Sequence, residues 1–128
     1  MHPRQRSYYR VTWTAIKNNM DEHLTIDEFK KVEIKIGEIL SVELIEGSEK
    51  LLKLKVNFGT EERQVLSGFK AYFPDPQQLV GNKCPFVTNL APRMMMGLES
   101  QAMILAAGGG DTPFALFETA GVPGDRVR

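Results

Sequence analysis

The chain has 128 residues, of which 42% are hydrophobic and 25% charged, so it is long enough for one well-cored domain and too short for two. Its 16 basic and 16 acidic residues give a net charge of zero, so net charge alone does not attract the chain to nucleic acid. The one cysteine, Cys84, excludes an internal disulfide and is expected to be a buried structural thiol, and His2 and His23 lack metal-ligand spacing. Because no apolar run approaches the roughly 18 residues of a membrane helix and no signal peptide is visible, we expect a soluble, cytoplasmic protein without metal or cofactor.

Residues 1–24 form the least regular part of the chain and are interpreted as an N-terminal extension. Tyr9 and Trp13 belong both to a near-helical spacing and to a strand-like alternation with Val11, so a helix over residues 12–22 and an extended segment are both open. The first eight residues are expected to be disordered or to derive from an expression tag.

The domain itself is expected to begin at residue 25. Thr25 and Glu28 have the spacing of a capping box, which predicts a single helical turn. The apolar period then changes to two over residues 32–36, which predicts a strand with one face in the core. Gly37 interrupts this strand and predicts a bulge or a sharp coil before it continues to residue 45.

Four more segments have the character of strands, at residues 52–58, 63–67, 83–89 and 101–107. Pro85 places the fourth strand on an edge or at a bulge, and a short helix with proline at its start is expected over residues 74–79. Five strands with a helical insertion are typical of an all-β, five-stranded oligonucleotide- and oligosaccharide-binding (OB) barrel. A flexible glycine break at residues 108–110 then leads into a C-terminal extension of the same domain.

Motifs for catalysis are missing from the chain. The glycines at 108–110 are not followed by the lysine and hydroxyl side chain of a phosphate-binding loop. Ser67 and Ser100 lie in the β region, which contains no histidine to serve as their base. The sequence therefore predicts a non-catalytic domain.

Binding is better indicated, by one segment and by one set of charges. In residues 88–105, TNLAPRMMMGLESQAMIL, the polar residues Asn89, Arg93 and Ser100 stand in an apolar setting whose turn is fixed by Pro92 and Gly97. Basic side chains at positions of the first three strands that are expected to face solvent should share one face of the barrel. They are Lys31, Lys35, Lys53, Lys55 and Arg63. Acidic residues in the same region weaken that field, so nucleic-acid binding and a solubilising surface both remain open.

Five dispersed segments, in the same order along residues 25–107, resemble the tRNA-binding domain of the endothelial monocyte-activating polypeptide II type. They are IDEFKKVEIKIGEIL, EKLLKLKV, RQVLSGF, LVGNK and NLAPRMMMGLESQAMILAA. That domain is appended to bacterial methionyl-tRNA synthetases and also occurs as small free-standing proteins. The resemblance implies an OB barrel that grips tRNA by its folded shape, commonly as a dimer, and assists a synthetase without catalysing a reaction. It leaves open whether this chain is free-standing, a synthetase β chain or a C-terminal domain.

By position, the resemblance assigns tRNA contacts to eight residues: Lys35, Lys53, Arg63, Ser67, Asn89, Arg93, Ser100 and Met103. The cations are expected to meet phosphates, Asn89 and Ser100 to hydrogen-bond phosphate or ribose, and Met103 to pack beneath them. A methionyl-tRNA synthetase catalytic chain is a further expected partner.

The C-terminal extension has more apolar residues than a capped barrel needs, which predicts a twofold homodimer. These residues include Phe114, Leu116, Phe117 and Val122. Two other functions are open: a dimeric, chaperone-like protein that binds peptides through an apolar groove of the same barrel, and a module that dimerises a larger enzyme.

Overall fold

The computed structural model describes residues 22–128, and the chain divides into two compact units, the first ending at Lys31 and the second beginning at Val32. In the first unit a short helix, α1 (Ile26–Phe29), follows the capping residue Thr25. The backbone N–H of Glu28 donates to the Thr25 hydroxyl at 3.1 Å, and the backbone N–H of Thr25 donates to the Glu28 carboxylate at 3.1 Å. The predicted capping box is confirmed, whereas the predicted helix over residues 12–22 lies outside the described residues except for its last position.

The second unit is built from nine strands and two short 3-10 helices. The helices are Lys70–Tyr72 and Pro76–Leu79. The strands are β1 (Ile34–Leu44), β2 (Leu52–Asn57), β3 (Glu62–Ser67), β4 (Lys83–Val87), β5 (Arg93–Met95), β6 (Leu98–Ser100), β7 (Met103–Ile104), β8 (Ala106–Gly109) and β9 (Thr112–Leu116). One antiparallel sheet has the order β3-β2-β1-β4-β7, and β5-β6 and β8-β9 form two separate hairpins.

The sheet curls until its two edges meet. The backbone N–H of Gln101, just before β7, donates to the carbonyl of Gln64 in β3 at 2.8 Å. The backbone N–H of Leu66 donates to the Ser100 hydroxyl at 3.0 Å. These bonds satisfy the free edge of β3 and nearly close the barrel, so the predicted all-β OB barrel is confirmed.

Gly37 lies within β1 at a point where side chains of the neighbouring strands approach its backbone closely. A Cβ atom on this residue would lie 2.5 Å from Val56 Cγ1 and 2.7 Å from Phe58 Cε1. The bulge expected at Gly37 is wrong: the register shifts farther along β1, between Ile39 and Ser41. Glycine is needed here because two strands and two rings approach its backbone closely.

Pro85 lies inside the sheet, neither on an edge strand nor at a bulge, so the prediction for it is wrong. It faces Ile36 of β1, whose own N–H and carbonyl turn the other way and bind Asp125 and Gly124 of the C-terminal segment at 2.9 and 2.7 Å. Because this is a non-hydrogen-bonded position of the β1-β4 ladder, the missing N–H of Pro85 removes no bond to β1.

Two segments form hairpins outside the main sheet. Residues 91–100 contain β5 and β6, joined by Met96 and Gly97, whose φ angles of 51° and 77° are both positive as a type I′ turn requires. The glycines at 108–110 belong to the hairpin of β8 and β9, so the flexible break is wrong. The fifth barrel strand is correspondingly short, because residues 106–109 leave the barrel to form β8.

The core lies inside the barrel and extends to both β8-β9 and the 3-10 helices. Its fully buried side chains include Ile39, Leu52, Leu54, Val65 and Phe86. Cys84 is buried among them, and burial, with a smaller contribution from the charge of Glu118, raises the pKa of its thiol to about 11. The prediction of a buried thiol is confirmed. No helix in residues 22–128 has the length and apolar character needed to cross a membrane.

Candidate nucleic-acid interface

One end of the barrel carries a chain of polar contacts, here called the polar end and defined by Glu33, Lys35, Arg63 and Thr88. Lys35 Nζ lies 3.5 Å from Glu33 Oε1, and the Thr88 hydroxyl donates to the same oxygen at 2.6 Å. Arg63 Nη1 donates to the Thr88 carbonyl at 2.6 Å. The polar end therefore links the starts of β1 and β3 to the end of β4.

Arg63 has the most contacts in this group. Besides Thr88, its guanidinium donates to the carbonyl of Gln101 at 3.1 Å, pairs with Glu61 at 2.7 Å and lies 5.7 Å from the centre of the Phe58 ring. Its register partner is Val56, which is fully buried, so Arg63 lies on the core side of β3. The expectation that it shares an outward face with the strand lysines is wrong.

Glu33 is the acidic centre of the polar end. The hydrogen bond from Thr88 holds the pKa of its carboxyl below the ordinary value, and the charges of Lys35 and Arg126 act in the same direction against the effect of burial. Glu33 therefore stays ionised at neutral pH and offsets part of the positive charge beside it.

Asn89 joins the polar end to the segment that follows β4. Its side-chain carbonyl accepts a hydrogen bond from the backbone N–H of Glu33 at 2.8 Å. This bond fixes where the segment from Leu90 to Arg93 leaves the barrel. The sequence placed Asn89 in the site, and the structure brings it next to Lys35 through Glu33.

Beyond Asn89 lies a small apolar groove, which gathers three of the predicted site residues. Arg93, Ser100 and Met103 line it together with Leu90, Ala91, Met95 and Ala102, and its volume is about 170 Å³. Arg93 faces Ser100 across the β5-β6 ladder, so both side chains lie on the groove side of this hairpin, and Met94 and Glu99 lie on the other. The groove is thus walled by the hairpin and by the segments 90–91 and 102–103.

The two predicted serines are buried. Ser100 is 7% exposed, and its hydroxyl donates to the Ala102 carbonyl at 3.1 Å while accepting from Leu66, so it closes the barrel at the floor of the groove. Ser67 is 6% exposed, and its hydroxyl has no hydrogen-bond partner within the described part of the chain. It lies four residues along β3 from Arg63, about 13 Å away, and next to Leu66, which bonds to Ser100 and pairs with Lys53. Its burial keeps it out of the surface that these residues form.

Lys53 lies neither at the polar end nor in the groove but on the outer face of β2, beside Lys55. Lys53 Nζ lies 2.9 Å from Glu43, and Lys55 Nζ lies 3.3 Å from Glu62. A shallow concavity of about 270 Å³ lies over these four side chains. The expected shared face thus holds for Lys53 and Lys55, and each of these lysines is paired with an acid.

Arg126 is a residue of the polar end that no sequence motif marks, and the fold places it there. The C-terminal segment returns to β1, so that Arg126 and Lys35 face each other in an antiparallel bridge. Like charges directly opposite each other are unfavourable, and the carboxylate of Glu33 compensates them here. No local sequence signal reveals this neighbour, because 91 residues separate the two positions along the chain (126 minus 35).

Comparison with known families identifies the domain. The model of the family described as "Putative tRNA binding domain" matches residues 34–125, which span the barrel, the groove and the β8-β9 hairpin. The chain belongs to this family. The resemblance found in the sequence is therefore confirmed.

Several solved structures have a similar fold. A MetRS-related protein from Pyrococcus horikoshii is 38% identical, with a TM-score of 0.78 over 84% of this chain and 99% of its own. A CsaA chaperone protein from Picrophilus torridus is 25% identical, with a TM-score of 0.73 over 83% of this chain and 100% of its own. The C-terminal domain of Plasmodium vivax p43, at 23% identity and a TM-score of 0.69, covers 79% of this chain and 62% of its own and is similar in fold.

Proposed function

We propose that this domain binds tRNA by its folded shape, with little dependence on sequence, and has no catalytic role of its own. The contact surface is the groove together with the polar end. Arg93 and Lys35 meet phosphates there, Asn89 fixes the segment between them, and Met103 supplies an apolar wall. Lys53 extends the surface onto the outer face of β2, and Arg126 adds a cation beside Lys35.

The observation that carries this proposal is the position of Arg93. It is exposed on the rim of the groove, and no carboxylate in residues 22–128 lies within ion-pair distance of it. Lys35, Lys53 and Arg63 each have such a carboxylate. A guanidinium whose charge is not neutralised by the protein is suited to a phosphate, which it can bind through two parallel hydrogen bonds.

Arg63, Ser67 and Ser100 have different parts in this proposal. Arg63 and Ser100 hold the groove together from within, because their polar atoms bind the backbone of β3, β4 and the segment before β7. They support the site as positioning residues. Ser67, at the far end of β3, is left out of the contact surface.

The salt dependence of tRNA binding tests the proposal. About four phosphate contacts should give a slope of roughly −3 to −4 when the logarithm of the association constant is plotted against that of salt concentration. Different tRNAs should bind with similar affinity, because shape and not base sequence is recognised. A titration of the full chain with two unrelated tRNAs over a salt series measures both. Binding that is insensitive to salt, or confined to one anticodon, contradicts the proposal.

We further propose that tRNA binding assists aminoacylation through a methionyl-tRNA synthetase, either in the same polypeptide or as a separate partner. This is supported by the 38% identity to a MetRS-related protein over nearly all of that chain. Addition of the domain to a synthetase catalytic chain should lower the KM for tRNA while the rate at saturating tRNA stays unchanged.

A second candidate function is peptide binding, which the similarity to a CsaA chaperone protein favours. The groove offers an apolar surface for it, with Leu90 and Met103 about half exposed. Its volume of about 170 Å³ is small beside the roughly 300 to 1,000 Å³ of sites that enclose drug-sized ligands. An unfolded-peptide binding assay beside the tRNA titration separates the two functions.

A twofold homodimer is proposed as the assembly. Phe114 and Leu116 pack against the core and are not available for it, whereas Phe117 and Val122 remain 51% and 62% exposed. Exposed apolar side chains of this size usually mark an interface. Sedimentation at micromolar concentration should give twice the mass of the chain, and a monomeric mass contradicts the proposal.

A further inference from the structure

We propose that the groove between the β5-β6 hairpin and Met103 binds a single unstacked nucleobase of RNA, with Arg93 on the phosphate of that nucleotide. This rests on the proposed tRNA binding and goes beyond it. It assigns the groove to an unpaired nucleotide, so that recognition includes one single-stranded element in addition to duplex shape.

The chemistry of the groove matches a nucleotide in two respects. Its walls are apolar, formed by Leu90, Ala91, Met95 and Met103, and suit the face of a planar ring. Its rim carries Arg93, for which the described residues provide no acidic partner. A ligand that fits both has an apolar ring tethered to an anion, which describes a nucleotide with its phosphate.

The size of the groove limits the ligand to one ring. An apolar cavity of about 150 Å³ accommodates benzene. The groove, at about 170 Å³ and open on one side, therefore has room for one base and not for several residues of an extended peptide. The volume thus favours a nucleobase over a peptide segment.

The groove is also stiff enough to receive a ligand without collapsing. Ser100 at its floor bonds to Leu66 and Ala102, and Arg63 ties Thr88 to Gln101, the residues next to its two walls. Met96 and Gly97 close the hairpin in a two-residue turn. A preformed site of this kind loses little entropy when the ligand enters.

The test uses the full chain and two RNA probes, a blunt hairpin and the same hairpin with a short single-stranded 3′ end that carries 2-aminopurine. The overhang should raise the affinity by about tenfold, at the lower end of the values for base stacking because the walls are aliphatic. The fluorescence of 2-aminopurine should change on binding at saturating protein. Equal affinity for both probes together with unchanged fluorescence overturns the proposal.

Two substitutions on the same segment make matched variants. Ala91→Leu fills the groove from an exposed position, and Met94→Leu changes an exposed side chain on the opposite face of the hairpin. Ala91→Leu should remove the advantage of the overhang, by weakening the binding of that probe more than the binding of the blunt hairpin, whereas Met94→Leu should preserve both affinities. An equal loss for both probes in Ala91→Leu overturns the proposal, as does displacement of the overhang by an apolar peptide that binds the groove more tightly.

Failure of this inference is distinguishable from failure of the proposed function. If tRNA binds with the expected salt dependence but the overhang has no effect, the groove proposal alone is wrong. If neither probe nor tRNA binds, the proposed function is wrong, and this inference falls with it.

Discussion

Replacing Arg63 by methionine should lower the free energy of unfolding by about 2 to 4 kcal/mol, because two charge-assisted hydrogen bonds to backbone carbonyls are lost. Each of these bonds is worth roughly 1.5 to 3 kcal/mol, and water replaces part of that contribution. The guanidinium donates to Thr88 and Gln101 at 2.6 and 3.1 Å, and its side chain is 23% exposed. Methionine keeps the length and apolar stem of the arginine without its donors. The two carbonyls, which belong to segments on either side of the groove, are left without this bridge.

Urea unfolding followed by circular dichroism measures this effect as a shift of the midpoint at constant slope. Arg63→Lys is the matched variant: it keeps the charge beside Glu61 but has no planar fork for two carbonyls, so an intermediate loss is expected. Leu54→Ala calibrates the scale, because truncating this fully buried side chain should cost about 2 to 5 kcal/mol through lost packing.

Arg63 can also be distinguished from a tRNA contact. At temperatures where Arg63→Met is fully folded, its tRNA affinity should fall less than that of Arg93→Ala, since Arg63 acts through the backbone that it holds. An unchanged unfolding midpoint combined with a large loss of tRNA affinity would show that Arg63 binds phosphate directly, as the sequence resemblance implied.

Strand β2 could be predicted from the sequence because its buried and exposed residues alternate without exception. Leu52, Leu54 and Val56 are all completely buried, and Lys53 and Lys55 between them face solvent. One buried face and one solvated face leave a single register in which every apolar side chain points inward. A strand of this type is determined by local pattern alone.

At Arg63, the alternation of β3 and the charge of the side chain predict opposite positions. It has the same parity as Val65, which is fully buried, so alternation places it on the core side of β3. Its charge nevertheless predicts an outward position. What makes the inward position tolerable is a set of partners from distant segments, Glu61, Thr88 and Gln101, which no pattern within one strand reveals.

Only the part of the candidate site that lies close together along the sequence could be predicted. Asn89, Arg93, Ser100 and Met103 belong to one stretch of sequence, so their proximity follows from a short hairpin whose turn is marked by Gly97. The burial of Ser100 depends on closure of the barrel against β3. The approach of Arg126 to Lys35 depends on the path of the whole C-terminal segment, which sequence periodicity does not encode.

Replacing Arg93 by alanine should weaken tRNA binding by about 1 to 3 kcal/mol, which is roughly 5- to 150-fold in affinity, the range of a hydrogen bond to a charged group. Folding should be nearly unchanged. Arg93 is exposed at the start of β5, and within residues 22–128 it has no ion pair whose loss would destabilise the hairpin. Its backbone pairing with Ser100 does not depend on the side chain.

Filter binding or fluorescence anisotropy with one tRNA at fixed salt measures the change, and two further variants interpret it. Lys83→Ala removes the same charge from the start of β4, whereas the groove residue Met103 pairs with Val87 at the other end of that strand, so this variant should cost well under half of the Arg93 effect because screening limits long-range attraction. Arg93→Lys retains the charge but loses the bidentate fork, so an intermediate affinity is expected.

The outcome that contradicts the assignment is equally specific. If Arg93→Ala lowers the unfolding midpoint to the extent of Leu54→Ala while the folded fraction still binds tRNA with full affinity, Arg93 stabilises the hairpin and does not bind phosphate. If Lys83→Ala and Arg93→Ala weaken binding equally, the domain attracts tRNA by its general charge. With 16 basic residues balanced by 16 acidic ones, that attraction is weak, so a large and local effect at Arg93 is the expected result.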